Sequence, residues 1–132
     1  MTDLPLPAAT ATVKAWLDAL PGATPEARTA SRGKTPLVLI YKLMGRMFAI
    51  LSVREEAFVI VKCDPALADL LRGQYAGIGH RSHLDPRHWI SVDLDGDVPM
   101  DEVRRLVEGS HALIRAGLTR KQQEALEAAD HG

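Results

Sequence analysis

The chain contains little cysteine, few aromatic residues and almost no net charge. Of its 132 residues one is cysteine and 5% are aromatic, and the formal net charge is −1. The single cysteine, Cys63, excludes an internal disulfide framework and a cysteine-rich zinc site. The near-zero charge gives no overall attraction to nucleic acid. No apolar run approaches the roughly 20 residues that span a bilayer.

The N-terminal sequence MTDLPLPAATAT also lacks the basic start and long apolar core of a signal peptide. We therefore expect a cytoplasmic protein without a membrane partner. The length fits one domain over residues 1–132, with flexible ends at 1–9 and 128–132. The sequence does not decide the oligomeric state and favours a monomer only slightly.

The charges are unevenly distributed along the chain. Residues 28–90 contain ten Lys and Arg against five Asp and Glu, whereas residues 1–27 sum to −2 and residues 91–132 to −4. A basic middle between acidic ends can produce a polarised surface that the net charge conceals. The alternative is that these charges are solvated corners spread around the molecule.

Apolar periodicity and turn residues predict the first half of the chain. Helical spacing of apolar residues indicates a helix over about 10–20, ended by Pro21-Gly22. Thr24-Pro25-Glu26 has the hydroxyl, proline and acid typical of a second helix start. Three strands follow at Leu37–Lys42, Arg46–Leu51 and Ala57–Lys62, and the first two are joined by a hairpin turn at Gly45.

The second half contains stronger helix signals. Asp64 and Pro65 begin a helix that ends at Gly73. We expect a short strand near Ile78–Ser82, and apolar alternation predicts another at His88–Leu94. A long helix runs from about Pro99 to Ala116. The Thr119–Gln122 spacing is that of a capping box, which begins the last helix.

This order predicts an α+β fold, a largely antiparallel sheet of four to five strands with helices packed on one face. The strands at Arg46–Leu51 and Ala57–Lys62 are apolar on both sides, although a sheet with one solvated face should alternate. Either both faces are covered, which is the commoner case, or one face exposes apolar surface to a partner.

The sequence has no catalytic constellation. It lacks a G-x-S-x-G elbow, a phosphate loop and a dinucleotide fingerprint, so we expect neither an enzyme nor a cofactor. His80, His83 and His88 are too loosely spaced for a convincing metal site, and we interpret them as polar loop and strand-edge residues. Asp93, Asp95 and Asp97 do not fit the calcium-loop spacing.

A few residues could contact nucleic acid. Lysines and arginines at strand ends and hairpin tips can reach backbone phosphates, and an aromatic residue lies close to them. The alternative is that such charges protect the edges of the sheet. The candidate nucleic-acid-binding residues are Lys42, Arg46, Lys62, Arg81, Arg87 and Trp89.

The series LVLIYKLMGRMFAIL, VIVKCDP and DPRHWISVDLDGDVPMDEVRRLVEGSHALI resembles the MmcQ/YjbR-like proteins. The most specific pieces are Gly45–Ala49, Lys62 before the acid–Pro helix start, Arg87–Trp89, and Ser110 in the long helix. The resemblance runs from about Val13 to Leu126.

The resemblance implies a fold similar to frataxin-like CyaY, with a "double wing" suited to DNA. By that resemblance Lys42, Arg46 and Lys62 match basic family positions, and Trp89 matches the family tryptophan. We therefore expect a non-catalytic DNA-binding module that contacts phosphates from strand ends and hairpins. The alternative is an interaction module that binds a protein partner through an exposed sheet face.

Overall fold

The computed structural model describes residues 6–29, 36–53, 56–81 and 84–131. Within these ranges the chain forms one helix, four strands, one helix, two strands and two helices. The elements are α1 (Ala8–Ala19), β1 (Ala23–Thr29), β2 (Pro36–Leu43), β3 (Arg46–Ser52), β4 (Phe58–Lys62), α2 (Pro65–Gln74), β5 (Ile78–Gly79), β6 (Trp89–Asp93), α3 (Met100–Ala116) and α4 (Arg120–His131).

The six described strands form one sheet in the order β1-β2-β3-β4-β6-β5, and every neighbouring pair is antiparallel. All four helices contribute side chains to a single apolar core, for example Leu17 of α1, Ala68 of α2, Val107 of α3 and Leu126 of α4. The predicted α+β fold, with helices on one face of an antiparallel sheet, is confirmed; the sheet has one strand more than the upper estimate.

The additional strand is β1, where the prediction of a helix start at Thr24-Pro25-Glu26 was wrong. Thr24 pairs with Lys42 and Glu26 with Ile40, in continuous register along β2. The local signal for a helix start is overridden by the backbone hydrogen bonds that β2 provides. Pro25 is tolerated because β1 is an edge strand, where a missing N–H leaves no ladder partner unsatisfied.

The β2–β3 hairpin follows its sequence signal. Met44 and Gly45 form its two-residue connection, with φ of +50° and +84°. Left-handed conformations at both central residues match the twist of the flanking strands.

The capping box at α4 is also confirmed. The Thr119 N–H donates to Gln122 Oε1 at 3.0 Å, and the Gln122 N–H donates to Thr119 Oγ1 at 3.1 Å.

The two faces of the sheet differ in what covers them. Core-facing residues alternate along the strands, and the register places Tyr41 beside Ala49, Ala49 beside Val61, and Val61 beside Ile90. All four of these side chains are fully buried and belong to the core beneath the helices. The helices therefore cover this face alone.

The opposite face, which we call the open sheet face, has an apolar row at its centre. Ile40 pairs with Ile50 and Ile50 with Ile60, yet none of the three belongs to the helix-covered core. Ile40 and Ile50 are half-buried, and Ile60 is 4% exposed. The strands are therefore apolar on both sides, although no described helix packs against this second face. Ile60 and its partner Ser91 are nonetheless buried, so this face is covered at Ile60 and leaves Ile40 and Ile50 partly accessible.

A buried serine joins the helix layer to the sheet. The register between β2 and β3 shifts after Tyr41, which leaves Phe48 as an extra residue in a bulge. Ser110 of α3 is fully buried there, and its Oγ donates to the Phe48 carbonyl at 2.5 Å. The same Oγ accepts from the Lys62 N–H at 2.9 Å. Ser110 thus satisfies two backbone groups that the irregular ladder leaves unpaired.

A second polar contact ties α1 to β2. Tyr41 is fully buried, and its hydroxyl donates to Asp18 Oδ1 at 2.6 Å. Burial and this bond raise the pKa of Tyr41. Partial burial raises the pKa of Asp18, but the hydrogen bonds from Lys14 and Tyr41 outweigh it, so that the pKa lies below its ordinary value.

Replacing Ser110 by alanine should lower the free energy of unfolding by about 1–3 kcal/mol, because the Phe48 carbonyl and the Lys62 N–H lose their partner. Urea denaturation followed by circular dichroism measures the change. The matched control is Gly109→Ala, where an added Cβ meets no atom within 4 Å. That change should stabilise the helix by about 0.5–1 kcal/mol. Equal stabilities of Ser110→Ala and the parent would contradict the assigned role.

The Asp18–Tyr41 bond should make stability sensitive to acid. A folded pKa below the unfolded value means that Asp18 contributes stability above the unfolded pKa. That contribution is lost as the pH falls through the folded pKa. Tyr41→Phe removes the donor, so stability should fall less steeply between about pH 5 and pH 2 than in the parent. Tyr75→Phe is the control, since the described bond of Tyr75 is to Gln74. Identical acid profiles for the parent and Tyr41→Phe would refute this coupling.

Candidate nucleic-acid interface

Lys62 and Trp89 lie side by side on the open sheet face. They are direct partners across β4 and β6, and both alternate with the buried core residues Val61 and Ile90. Both side chains are half-buried. Lys62 makes no ion pair with any residue that the structure describes. An unpaired ammonium group beside an indole ring can attract a phosphate and offer a stacking surface in one place.

Lys42 lies on the same face, two strands from Lys62. It pairs with Met47 in the register, and its Nζ lies 2.8 Å from Glu26 Oε2. The hydrogen bond from Lys42, helped by the charge of Arg28, holds the pKa of Glu26 below its ordinary value. Surface ion pairs of this kind are weak, so Lys42 can exchange Glu26 for another anion.

Arg81 lies across the opposite end of the open sheet face. Its guanidinium carbon is 4.7 Å from the centre of the Phe58 ring, and its nitrogens pair with Glu56 and, at 3.2 Å, with Asp93. Burial lowers the pKa of Arg81, but the bonds to these two carboxylates outweigh it and raise the pKa. Two carboxylates compensate this cation, so it has less charge to offer a ligand than Lys62 has.

Arg46 lies on the other side of the sheet. Its register partner is the core residue Leu43, and its Nη1 donates to the Gly117 carbonyl at 3.2 Å, where α3 ends. A cation at this position satisfies a terminal carbonyl and interacts favourably with the helix dipole. Arg46 thus has a structural role and does not share a face with Lys42 and Lys62.

Arg87 lies in the loop before β6, and a hydrogen-bonded turn positions that loop. The Asp85 carboxylate accepts from the Arg87 N–H at 2.9 Å, and the Asp85 carbonyl accepts from the Trp89 N–H at 3.0 Å. Arg72 of α2 donates to the Pro86 and Trp89 carbonyls. The Arg87 side chain is exposed and has no ion pair with a described residue. Sequence reasoning missed Arg72, which has no motif of its own.

A shallow open cleft of about 240 Å³ lies beside Arg81, where β5 meets β6. Ala76 and Gly77 line this cleft, and their N–H groups donate to the Asp97 carboxylate at 2.9 and 2.8 Å. These two bonds lower the pKa of Asp97. Asp97 lies between β6 and α3, so these bonds connect the segment before α3 to the turn before β5.

Among the described residues the histidines and Cys63 do not gather into a metal-binding group, although the Cys63 N–H donates to the His88 carbonyl at 2.7 Å. His80 Nε2 lies 2.5 Å from the Leu84 carbonyl, and His88 lies 3.9 Å from Asp85; His83 falls outside the described residues. His111 is buried against Phe48 and bonds the Pro21 carbonyl. Burial and the charge of Asp64 raise the pKa of Cys63, which disfavours its thiolate form.

No group of three or more His, Cys, Asp or Glu residues among the described residues is placed to hold a metal ion. No helix in the described part of the chain has the length and apolarity needed to cross a membrane.

Known structures share this architecture. A Deinococcus radiodurans protein, DR2400, whose crystal structure contains a domain of the class DUF419, superposes with a TM-score of 0.73. It is 25% identical, and the match covers 87% of this chain and 85% of that one. A Pseudomonas syringae protein is 23% identical with a TM-score of 0.54, over 67% of this chain and 83% of its own, and this likeness concerns the fold alone.

Sequence comparison identifies the family. The uncharacterized protein YjbR of Escherichia coli K12 is 36% identical over 71 residues, which are 53% of this chain and 60% of YjbR. The uncharacterized protein YbdF of Escherichia coli O157:H7 is 29% identical over 64% of this chain and 70% of its own length. The model of the YjbR family matches residues 18–113, most of the chain, and the chain belongs to the YjbR family.

Proposed function

We propose that the protein is a non-catalytic DNA-binding module whose contact surface is the end of the open sheet face that carries Lys42, Lys62 and Trp89. The observation that supports this most is the position of Lys62. Its ammonium group is on the same face as Lys42 and beside Trp89, with no described carboxylate to neutralise it. Arg87, exposed two residues before Trp89, adds a third cation near this end.

The six candidate residues are not equally available to contact DNA. Arg46 contributes to the end of α3, and Arg81 is held by Glu56 and Asp93. Neither needs to contact DNA for the proposal to hold. With Lys42, Lys62 and Arg87 as the phosphate contacts, the slope of log K against log salt on duplex DNA should be about −2.7.

A protein partner is the second candidate function, favoured by the half-buried apolar residues Ile40 and Ile50 on the same face. A protein contact would bury the centre of the face and depend little on salt. DNA binding would depend on the cationic end and weaken steeply with salt.

Charge reversal at Lys62 tests the proposal. Lys62→Glu should weaken binding to labelled DNA, single-stranded or duplex, and reduce the size of the salt slope by about 1. Fluorescence anisotropy across a salt series measures both quantities. Lys121→Glu on α4 is the matched control, because it makes the same change of net charge at an exposed position away from the sheet.

The control variant should bind as the parent does apart from a small general effect of charge. Equal weakening by the two variants would mean that only the net charge matters. Failure of the parent to bind either form of DNA at low salt would end the proposal.

A further inference from the structure

The open sheet face is the wrong shape for the groove of a duplex. Six strands spaced 4.7–4.9 Å apart make a surface roughly 24 Å wide. The major groove of B-DNA is about 12 Å wide and admits a helix or a two-stranded ribbon. All four described helices lie behind the sheet, where they pack on its other face. This surface could touch a duplex only along its phosphates. The apolar side chains of the face would then make no contact with the bases.

The chemistry of the face fits bases that are not paired. Trp89, Met47 and Ile50 are half-buried, so each presents part of an apolar side chain to a ligand. Any base can stack on an indole ring, but only when it is free of its own duplex stack. Trp89 is the one large aromatic residue at the cationic end among the described residues, since Phe58 lies under Arg81.

The cations are placed where the phosphates of such a strand would run. Lys42 and Lys62 are two strands apart, about 10 Å, a distance that a short run of nucleotides can span. Lys62 is the direct register partner of Trp89. A base on Trp89 therefore places its own or the next phosphate near Lys62. The carboxylates Glu56 and Asp93 are at the other end, engaged with Arg81.

We propose that the open sheet face binds single-stranded DNA in preference to duplex, with one base stacked on Trp89 and neighbouring phosphates held by Lys62 and Lys42. This inference rests on the proposed DNA-binding function and specifies its ligand. In this arrangement the base stacked on Trp89 contributes binding free energy in addition to that of the phosphate contacts.

The two tryptophans of the chain allow a direct test. Trp16 lies on α1, where Arg104 stacks on its ring at 5.5 Å, on the helix side of the molecule. In a Trp16→Phe variant, which keeps a ring against Arg104, Trp89 is the sole indole. Adding an oligothymidylate of about 12 nucleotides should quench its emission, because a stacked base contacts the indole directly. The Trp89→Phe variant, which retains only Trp16, should show no quenching.

Affinity for three probes completes the test. The probes are the oligothymidylate, an abasic strand of equal length, and a duplex of equal length. Loss of the bases should weaken binding about 5- to 150-fold, the range expected for one stacked base, and Trp89→Ala should abolish that difference. Thermal unfolding shows whether Trp89→Ala remains folded; the quenching result on Trp16→Phe does not depend on it.

The possible failures are distinguishable. Unchanged Trp89 emission at saturating oligothymidylate, or equal affinity for the abasic strand, overturns the stacking inference. Tighter binding of the duplex also overturns it, while leaving the proposed DNA-binding function in place. Absence of binding to all three probes at low salt overturns both.

Discussion

The arrangement of the molecule depends on the two hydrogen bonds of Ser110. The β2–β3 ladder cannot remain regular at Phe48, so it leaves backbone groups that must find partners inside the core. Ser110, in the middle of α3, is the hydrogen-bond partner of both the Phe48 carbonyl and the Lys62 N–H. This contact fixes α3 over β3 and β4. The bond to the Lys62 N–H also holds the backbone of the residue that points its side chain to the other side.

The two faces of the sheet therefore differ in character, although β4 contributes residues to both. In β4 the residues Val59 and Val61 are fully buried under the helices, while Phe58 and Lys62 are half-buried on the open sheet face. A strand that is apolar on both faces contributes to the core and still offers a surface for binding. The helices supply rigidity, and the strands present the functional groups, which limits the reorganisation needed on binding.

Much of the fold could be predicted from the sequence because its signals are local. The Met44-Gly45 hairpin, the Asp64–Pro65 helix start and the Thr119–Gln122 box each depend on a few adjacent residues. β1 could not be predicted in that way, since the pairing of Glu26 with Ile40 is a long-range contact that contradicts local propensity. The candidate site shows the same limit. Lys42, Lys62 and Trp89 meet because of the register, whereas Arg46, only four residues from Lys42, faces away because of the turn between them.

The edges of the sheet carry a further consequence. β1 contains Pro25, its pairing with β2 shifts register after Arg28, and β5 is two residues long. An edge strand that is interrupted by proline, bulged or very short is a poor template for a strand from another chain. Neither edge strand therefore favours pairing with a second chain to form a larger intermolecular sheet. The molecule can keep a broad, partly apolar sheet in contact with solvent because its edges discourage the aggregation to which such a surface would otherwise be prone.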